Sequence, residues 1–190
     1  SEDWAFATKL ADTLLDRFMD SENGGFFFTA EGAEAPIHRL RPWQDDALPS
    51  GNGIAARALL QLGHLTGEAR YLEAAAQTLA ASRQEMERYP LAHAALLRAL
   101  DESLDPPTLI SVCGGTGDDR EPLIAGALDA AARGHRLHCY AIGDGGGPPP
   151  GPAGQARAAN TAQAFVCRGT HCLPPTGDPS EMIRSLNANN

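Results

Sequence analysis

The feature that most constrains this chain is a change of hydrophobic period at Pro106-Pro107. Before it, apolar residues recur at helical spacing. After it, Thr108 to Cys113 is a nearly continuous apolar run, the pattern of a strand covered on both faces. One side of the double proline therefore reads as packed helices and the other as α/β. A chain of 190 residues has room for one domain, or for a domain plus a small lobe.

On the helical side, Trp4, Ala7, Ala11, Leu14 and Phe18 form one stripe with Leu10 and Leu15 beside it, which predicts a core-facing helix over 4–18. A stripe this wide needs partners on more than one side, so the chain is expected to be a fragment. The period then vanishes between 20 and 49. There Gly24-Gly25-Phe26-Phe27-Phe28-Thr29 and Ile37-His38-Arg39-Leu40-Arg41 flank a polar turn, and the spacing predicts a β-hairpin over 24–41. Helical spacing resumes after Pro49-Ser50-Gly51-Asn52, where Ser50 or Asn52 can cap a helix carrying Ala55, Ala58, Leu59, Leu62 and Leu65. Thr66-Gly67 stops it. Leu72, Ala75, Ala76, Leu79 and Met86 align shortly afterwards, and so short a link predicts an antiparallel αα-hairpin. Pro90 suits the first position of a fourth helix, with Leu96, Leu97, Leu100 and Leu104 as its stripe.

Beyond Pro107, strand 108–113, a helix bearing Leu123, Ile124, Ala127, Leu128 and Ala131, and a second strand from Arg136 to Ile142 predict a parallel βαβ unit. Residues 143–154, almost all Gly and Pro, are expected to form a mobile surface excursion. Ala162 to Cys167 reads as a third strand. Asp178-Pro179-Ser180-Glu181 opens a final helix with Met182, Ile183 and Leu186 inward. The expected fold class is mainly α: antiparallel helical hairpins over 1–106, with the β-hairpin inserted, then a small α/β lobe over 107–190.

Charge limits the partners. With 15 Lys+Arg against 24 Asp+Glu the chain carries a net −9, which argues against nucleic acid and against anionic membrane surfaces. No apolar run reaches the roughly eighteen residues of a membrane span. Four cysteines, Cys113, Cys139, Cys167 and Cys172, are too few for a secreted disulfide scaffold, so a cytoplasmic location with reduced thiols is expected.

Three constellations bear on chemistry. The first runs from His38 through Arg39, Arg41, Trp43, Asp45 and Asp46 to Ser50 and Asn52. Adjacent carboxylates repel, which raises one pKa toward the range of a general acid. With Asp45, Asp46, Arg41 and His38 as catalytic candidates, Trp43, Ser50 and Asn52 could hold a sugar by stacking and hydrogen bonds. The bland alternative is that the two aspartates pair with Arg41 or sit at a helix N-terminus. The second is sulfur. A zinc site is disfavoured because Cys113 and Cys139 fall in apolar strands; Cys167 and Cys172, five apart, could form a reversible disulfide, although a reduced pair is the default expectation. No metal and no cofactor is expected. The third, Cys113-Gly114-Gly115-Thr116-Gly117-Asp118, lacks both the dinucleotide fingerprint and the P-loop lysine, and its acids repel phosphate, so it reads as a plain βα turn. His64, His93, His135 and His138 lack ligand spacing and read as packing or surface residues.

Phe18-Met19-Asp20, Gly24 to Thr29, Leu40-Arg41 and Asp45-Asp46-Ala47-Leu48-Pro49-Ser50-Gly51-Asn52, followed late in the chain by Phe165-Val166-Cys167, Cys172 and Pro174-Pro175, form an ordered combination. It resembles the C-terminal region of the YyaL-type thioredoxin-domain-containing proteins, the spermatogenesis-associated protein 20-like family. The resemblance implies a longer parent with an N-terminal thioredoxin-like domain and an α/α toroid like that of six-hairpin glycosidases and sugar epimerases, of which this chain would supply the last hairpins. Arg41 stands where such relatives often have Lys, and Asp46 where they often have Gly, which makes Asp45 the better candidate acid. Two functions follow as expectations. One is a scaffold or binding part, inert on its own, whose partners are the thioredoxin-like domain and the rest of the toroid, with Cys167 and Cys172 as a redox pair. The other is part of a carbohydrate-active toroid with a small sugar ligand and Asp45 as acid or base. Self-association of exposed toroid faces is also expected.

Overall fold

The computed structural model describes residues 2–33, 38–141 and 161–188. The Gly/Pro run at 143–154 and part of the polar turn before His38 lie outside the described residues. The chain divides into two compact units, one made of Ala5–His64 with Glu68–Asp105, the other of Pro106–Asn190 with Ser1–Trp4 and Leu65–Gly67. Among the described residues the chain is mainly helical, with a small mixed sheet of four strands. No described helix is long and apolar enough to cross a membrane.

The first unit is built on α1 (Glu2–Phe18), α2 (Gly51–Thr66), α3 (Ala69–Arg88) and α4 (Ala94–Leu104). Its core holds Ala11, Phe26, Leu59, Tyr71, Leu79, Met86 and Leu96. Helix direction alternates along the chain. A Cβ at Gly53, early in α2, would lie 2.6 Å from Ala95 of α4, and further along both helices Arg57 Nε sits 2.7 Å from Glu102 Oε1 and Gln61 Nε2 3.2 Å from Glu102 Oε2. α2 and α4 therefore run the same way. α3, which follows α2 in the chain, runs the opposite way: a Cβ at Gly63, near the end of α2, would meet Leu72 at the start of α3. α1 in turn runs with α3. Its Asp12 accepts from Tyr71 Oη (2.5 Å) and Arg70 Nη2 (2.7 Å) at the start of α3, while Gly24, just past α1, abuts Gln77 and Ala81 further along.

Two expectations are corrected here. The segment 24–41 contains no strand among its described residues; it is an irregular loop with one isolated bridge, Met19 to Phe26, and a Phe28 N–H to Leu40 C=O bond of 2.7 Å. The backbone groups a hairpin ladder would use are claimed by side chains. Phe26 gives both its N–H and its C=O to Asn52, and Thr29 C=O accepts from Arg39. The fourth helix also starts later than the pattern suggests. Pro90–Ala92 is a separate 3-10 turn and α4 begins at Ala94. Leu104 is exposed, and Glu102 turns inward because Arg57 and Gln61 receive its carboxylate.

In the second unit, β1 (Thr108–Cys113) pairs in parallel with β2 (Leu137–Ala141) through α5 (Gly117–Ala132), as the βαβ pattern predicts. β3 (Gln163–Arg168) is antiparallel to β1, and the two-residue β4 (His171–Cys172) is antiparallel to β3, giving the order β2-β1-β3-β4. α5 and the final helix α6 (Pro179–Ala188) pack with Ile110, Val112, Ala164 and Val166 through Leu123, Ala127, Met182 and Leu186. Asp178 accepts from Ser180 N–H, but Glu181 turns to Thr176 Oγ1 (2.5 Å).

Candidate functional site

The loop joining α1 to α2 holds most of the sequence-predicted site residues, and the structure gives Arg41, Trp43, Asp45 and Ser50 definite tasks. Asp45 spreads its carboxylate over two backbone donors: Oδ1 accepts from Ser50 N–H at 2.8 Å and Oδ2 from Ala95 N–H at 2.9 Å. Ala95 lies in the first turn of α4, where free N–H groups and the helix dipole favour a negative charge. Asp45 also donates its own N–H to Ala92 C=O. One carboxylate thus ties the 45–50 loop to the start of α4. Ser50, buried, caps α2 by accepting the Gly53 N–H at 3.0 Å.

Asn52 does not cap. Only 2% exposed, its side chain accepts from Phe26 N–H (2.7 Å) and donates to Phe26 C=O (3.0 Å) and Pro42 C=O (2.9 Å). Those bonds use both amide hydrogens and the oxygen, holding two distant loop stretches at the N-terminus of α2.

Arg41 pairs with an acid that the sequence reading did not single out. Its Nη1 lies 2.5 Å from Asp20 Oδ2 and 2.7 Å from Gly24 C=O, and its guanidinium sits 5.1 Å from the ring of Trp43. Burial pushes the Asp20 carboxyl up, but hydrogen bonds from Asn23 and Glu22 and the Arg41 charge outweigh it and hold it below its ordinary value. The signal for Asp20 is Asp20-Ser21-Glu22-Asn23-Gly24, an aspartate whose side chain can accept from the backbone two and three residues on. Trp43 is half-buried and packs against the core, and Gly25, at φ 84°, leaves no room for a Cβ beside its indole. His38 and Asp46 are exposed.

The structure therefore brings Arg41 to Trp43, and Asp45 to Ser50, while each polar side chain among these four is engaged by the protein itself. Among the described residues no group of three His, Cys, Asp or Glu is disposed to hold a metal. Two other anchors were missed, Tyr71 with Asp12 and Glu102 with Arg57; each pairs residues more than forty positions apart, beyond the reach of periodicity.

In the second unit Cys167 and Cys172 are joined by a disulfide, replacing the reduced pair expected by default. They face each other across β3 and β4, one pair away from Arg168 and His171. Register also separates the thiols. Cys139 stands opposite Ile110, whereas Cys167 stands opposite Leu109, so their side chains project to opposite faces of the sheet. Cys113 and Cys139 are free. Burial pushes both thiols up, opposed at Cys113 by the Arg120 charge. At the βα turn, Thr116 and Asp119 form a capping box and Arg120 donates to Gly114 C=O and Gly115 C=O, so the turn's own residues satisfy the start of α5. On the face packed by α6, Thr108, Val166, Arg168, His171 and Leu186 line a recess of about 210 Å³.

No family model matches the chain. It is similar to spermatogenesis-associated protein 20 of Homo sapiens, 30% identical over 187 residues, and to the Rattus norvegicus and Mus musculus proteins of the same name, at 28% and 27%. Each match covers 95% of this chain and 24% of the relative, so the chain spans about a quarter of the length of these curated relatives.

Proposed function

From this homology, which is consistent with the C-terminal region of the spermatogenesis-associated protein 20-like family, we propose that the chain is a scaffold part of a larger protein, inert by itself. The observation that carries the proposal is the state of Asp45. Both of its oxygens accept backbone N–H groups that fix the 45–50 loop to the start of α4, which supports a structural task over proton transfer. Asn52 is fully used in the same way, bound to Phe26 and Pro42, and Arg41 is tied through Nη1 to Asp20 and Gly24.

The alternating helix directions support a segment of an α/α toroid, since hairpins laid side by side put every second helix in the same layer and orientation. Phe6 and Leu10, one turn apart on α1 and both exposed, support a further helix packing there, supplied by the rest of the larger protein or by a second copy. On this reading the partners are the remaining toroid and a thioredoxin-like domain.

The test pairs two measurements on the full-length protein: binding and turnover across monosaccharide and glycan panels, and thermal melting, each with Asp45 and with Asp45→Asn. The scaffold reading expects Asp45→Asn to lower the melting temperature with no sugar turnover to abolish. Turnover that Asp45→Asn eliminates at an unchanged melting temperature overturns it in favour of the carbohydrate-active alternative.

A further inference from the structure

The Cys167–Cys172 disulfide has little to hold. It closes a loop with a sequence separation of only five, and the chain entropy removed by a cross-link grows with loop length, so this bond sits near the low end of what a disulfide can stabilise. The hairpin is specified without it. Gly169, at φ 56°, occupies the first of two turn positions between Arg168 and His171, where a type II′ turn requires glycine. Leu173 N–H donates to Val166 C=O at 2.9 Å, and Ala164 and Thr176 exchange both backbone bonds, at 2.8 and 3.1 Å. The core of this unit is made of other residues, Ile110, Val112, Leu123 and Met182 among them.

Access is unequal. Cys172 is exposed on the edge strand, while Cys167 is half-buried on β3. The cross-strand position also matters for reversibility: residues directly opposite in an antiparallel pair keep their Cβ atoms close whether or not the sulfurs are bonded, so a reduced pair stays poised to close again.

We propose that Cys167–Cys172 is a thiol–disulfide exchange site that accepts two electrons from a dithiol, with Cys172 as the sulfur attacked. A thiolate of the dithiol attacks Cys172 Sγ; the Cys167–Cys172 bond breaks, and Cys167 leaves as a thiolate that takes a proton from water. The second thiol of the donor, deprotonated, then attacks the donor's own sulfur in the mixed disulfide, releasing the Cys172 thiolate, which is protonated in turn. Two cysteine thiols remain on this chain and one disulfide on the donor, so two electrons and two protons have moved. The hairpin outlasts each turnover, so the pair can cycle without refolding. This inference stands apart from the scaffold reading and survives its failure.

The experiment treats the whole chain with dithiothreitol under native conditions, quenches with an alkylating agent and maps each cysteine by mass spectrometry, with circular dichroism in parallel. The expected result is joint conversion of Cys167 and Cys172 with unchanged circular dichroism, and full recovery of the bond on re-oxidation. A second arm uses excess glutathione and rapid quenching to locate the first adduct, expected on Cys172 over Cys167 by on the order of tenfold, following their difference in access. Reduction that occurs only at denaturant concentrations that unfold the chain overturns the proposal, and so does a first adduct on Cys167.

Discussion

Replacing Asp45 by Asn changes one atom and should cost the first unit much of its margin. An asparagine side chain has one acceptor oxygen where the carboxylate has two, so either Ser50 N–H or Ala95 N–H loses its partner and faces an NH₂ group. A hydrogen bond to a charged group contributes about 1.5–3 kcal/mol, and an orphaned donor costs about 1–3 kcal/mol. Because the two figures overlap and the site is half-buried, the expected loss is about 2–4 kcal/mol. At about 2–4 °C per kcal/mol for a chain of this size, the melting temperature should fall by roughly 5–15 °C. Trp43 lies in the same unit, so its fluorescence in a Trp4→Phe background follows the right transition. The matched control is Asp46→Asn next door, exposed and expected to stay within about 0.5 kcal/mol of the parent. If both variants melt within about 1 °C of the parent, the Asp45 carboxylate is not the tie described here and the reasoning fails.

Three further outcomes are expected. Asn52→Ala strands two buried backbone groups, Phe26 N–H and Phe26 C=O, and removes the part-buried bond to Pro42 C=O, and should destabilise the first unit by about 2–4 kcal/mol in urea unfolding. Tyr71, whose hydroxyl is pushed up to about 12 by burial, by its hydrogen bond to Asp12 and by the charge there, favours the protonated form in the fold, so its stabilisation is complete below the ordinary tyrosine value of 10.0 and lost as pH rises toward 12. Phenolate absorbance should show one late-titrating tyrosine that Tyr71→Phe removes. His64 is held below its ordinary 6.5 by burial, so the fold prefers the neutral ring. Its stability contribution is full above 6.5 and declines as pH falls through that value, and His64→Gln should flatten this stretch of the stability–pH profile.

Most helices were legible because their apolar stripes are local: the spacing of Ala11, Leu14 and Phe18, or of Met182 and Leu186, needs no knowledge of a partner. The βαβ unit was legible for the same reason, as a continuous apolar run cannot be an exposed segment. The 24–41 loop was not, because Phe26, Phe27 and Phe28 have strand propensity that Asn52 and Arg39 override by taking the backbone groups a ladder would use. Leu104 misled for a related reason: whether a helix turns Leu104 or Glu102 inward depends on Arg57, forty-five positions away. In the candidate site, residue types and loop were readable. What could not be read was that Asp45 would spend both oxygens on backbone N–H groups, because those groups become neighbours only after the helices have packed.

At the Gly24-Gly25 corner, both residues occupy left-handed backbone, at φ 77° and 84°, with a carbonyl of α3 against the first and an indole against the second. Alanine at the first place would collide with helix backbone, and at the second it would have to displace the Trp43 ring. The corner therefore acts as a ruler, setting how near the loop lies to α3 on one flank and to Trp43 on the other, and through Arg41 it transmits that spacing to the Asp20 turn.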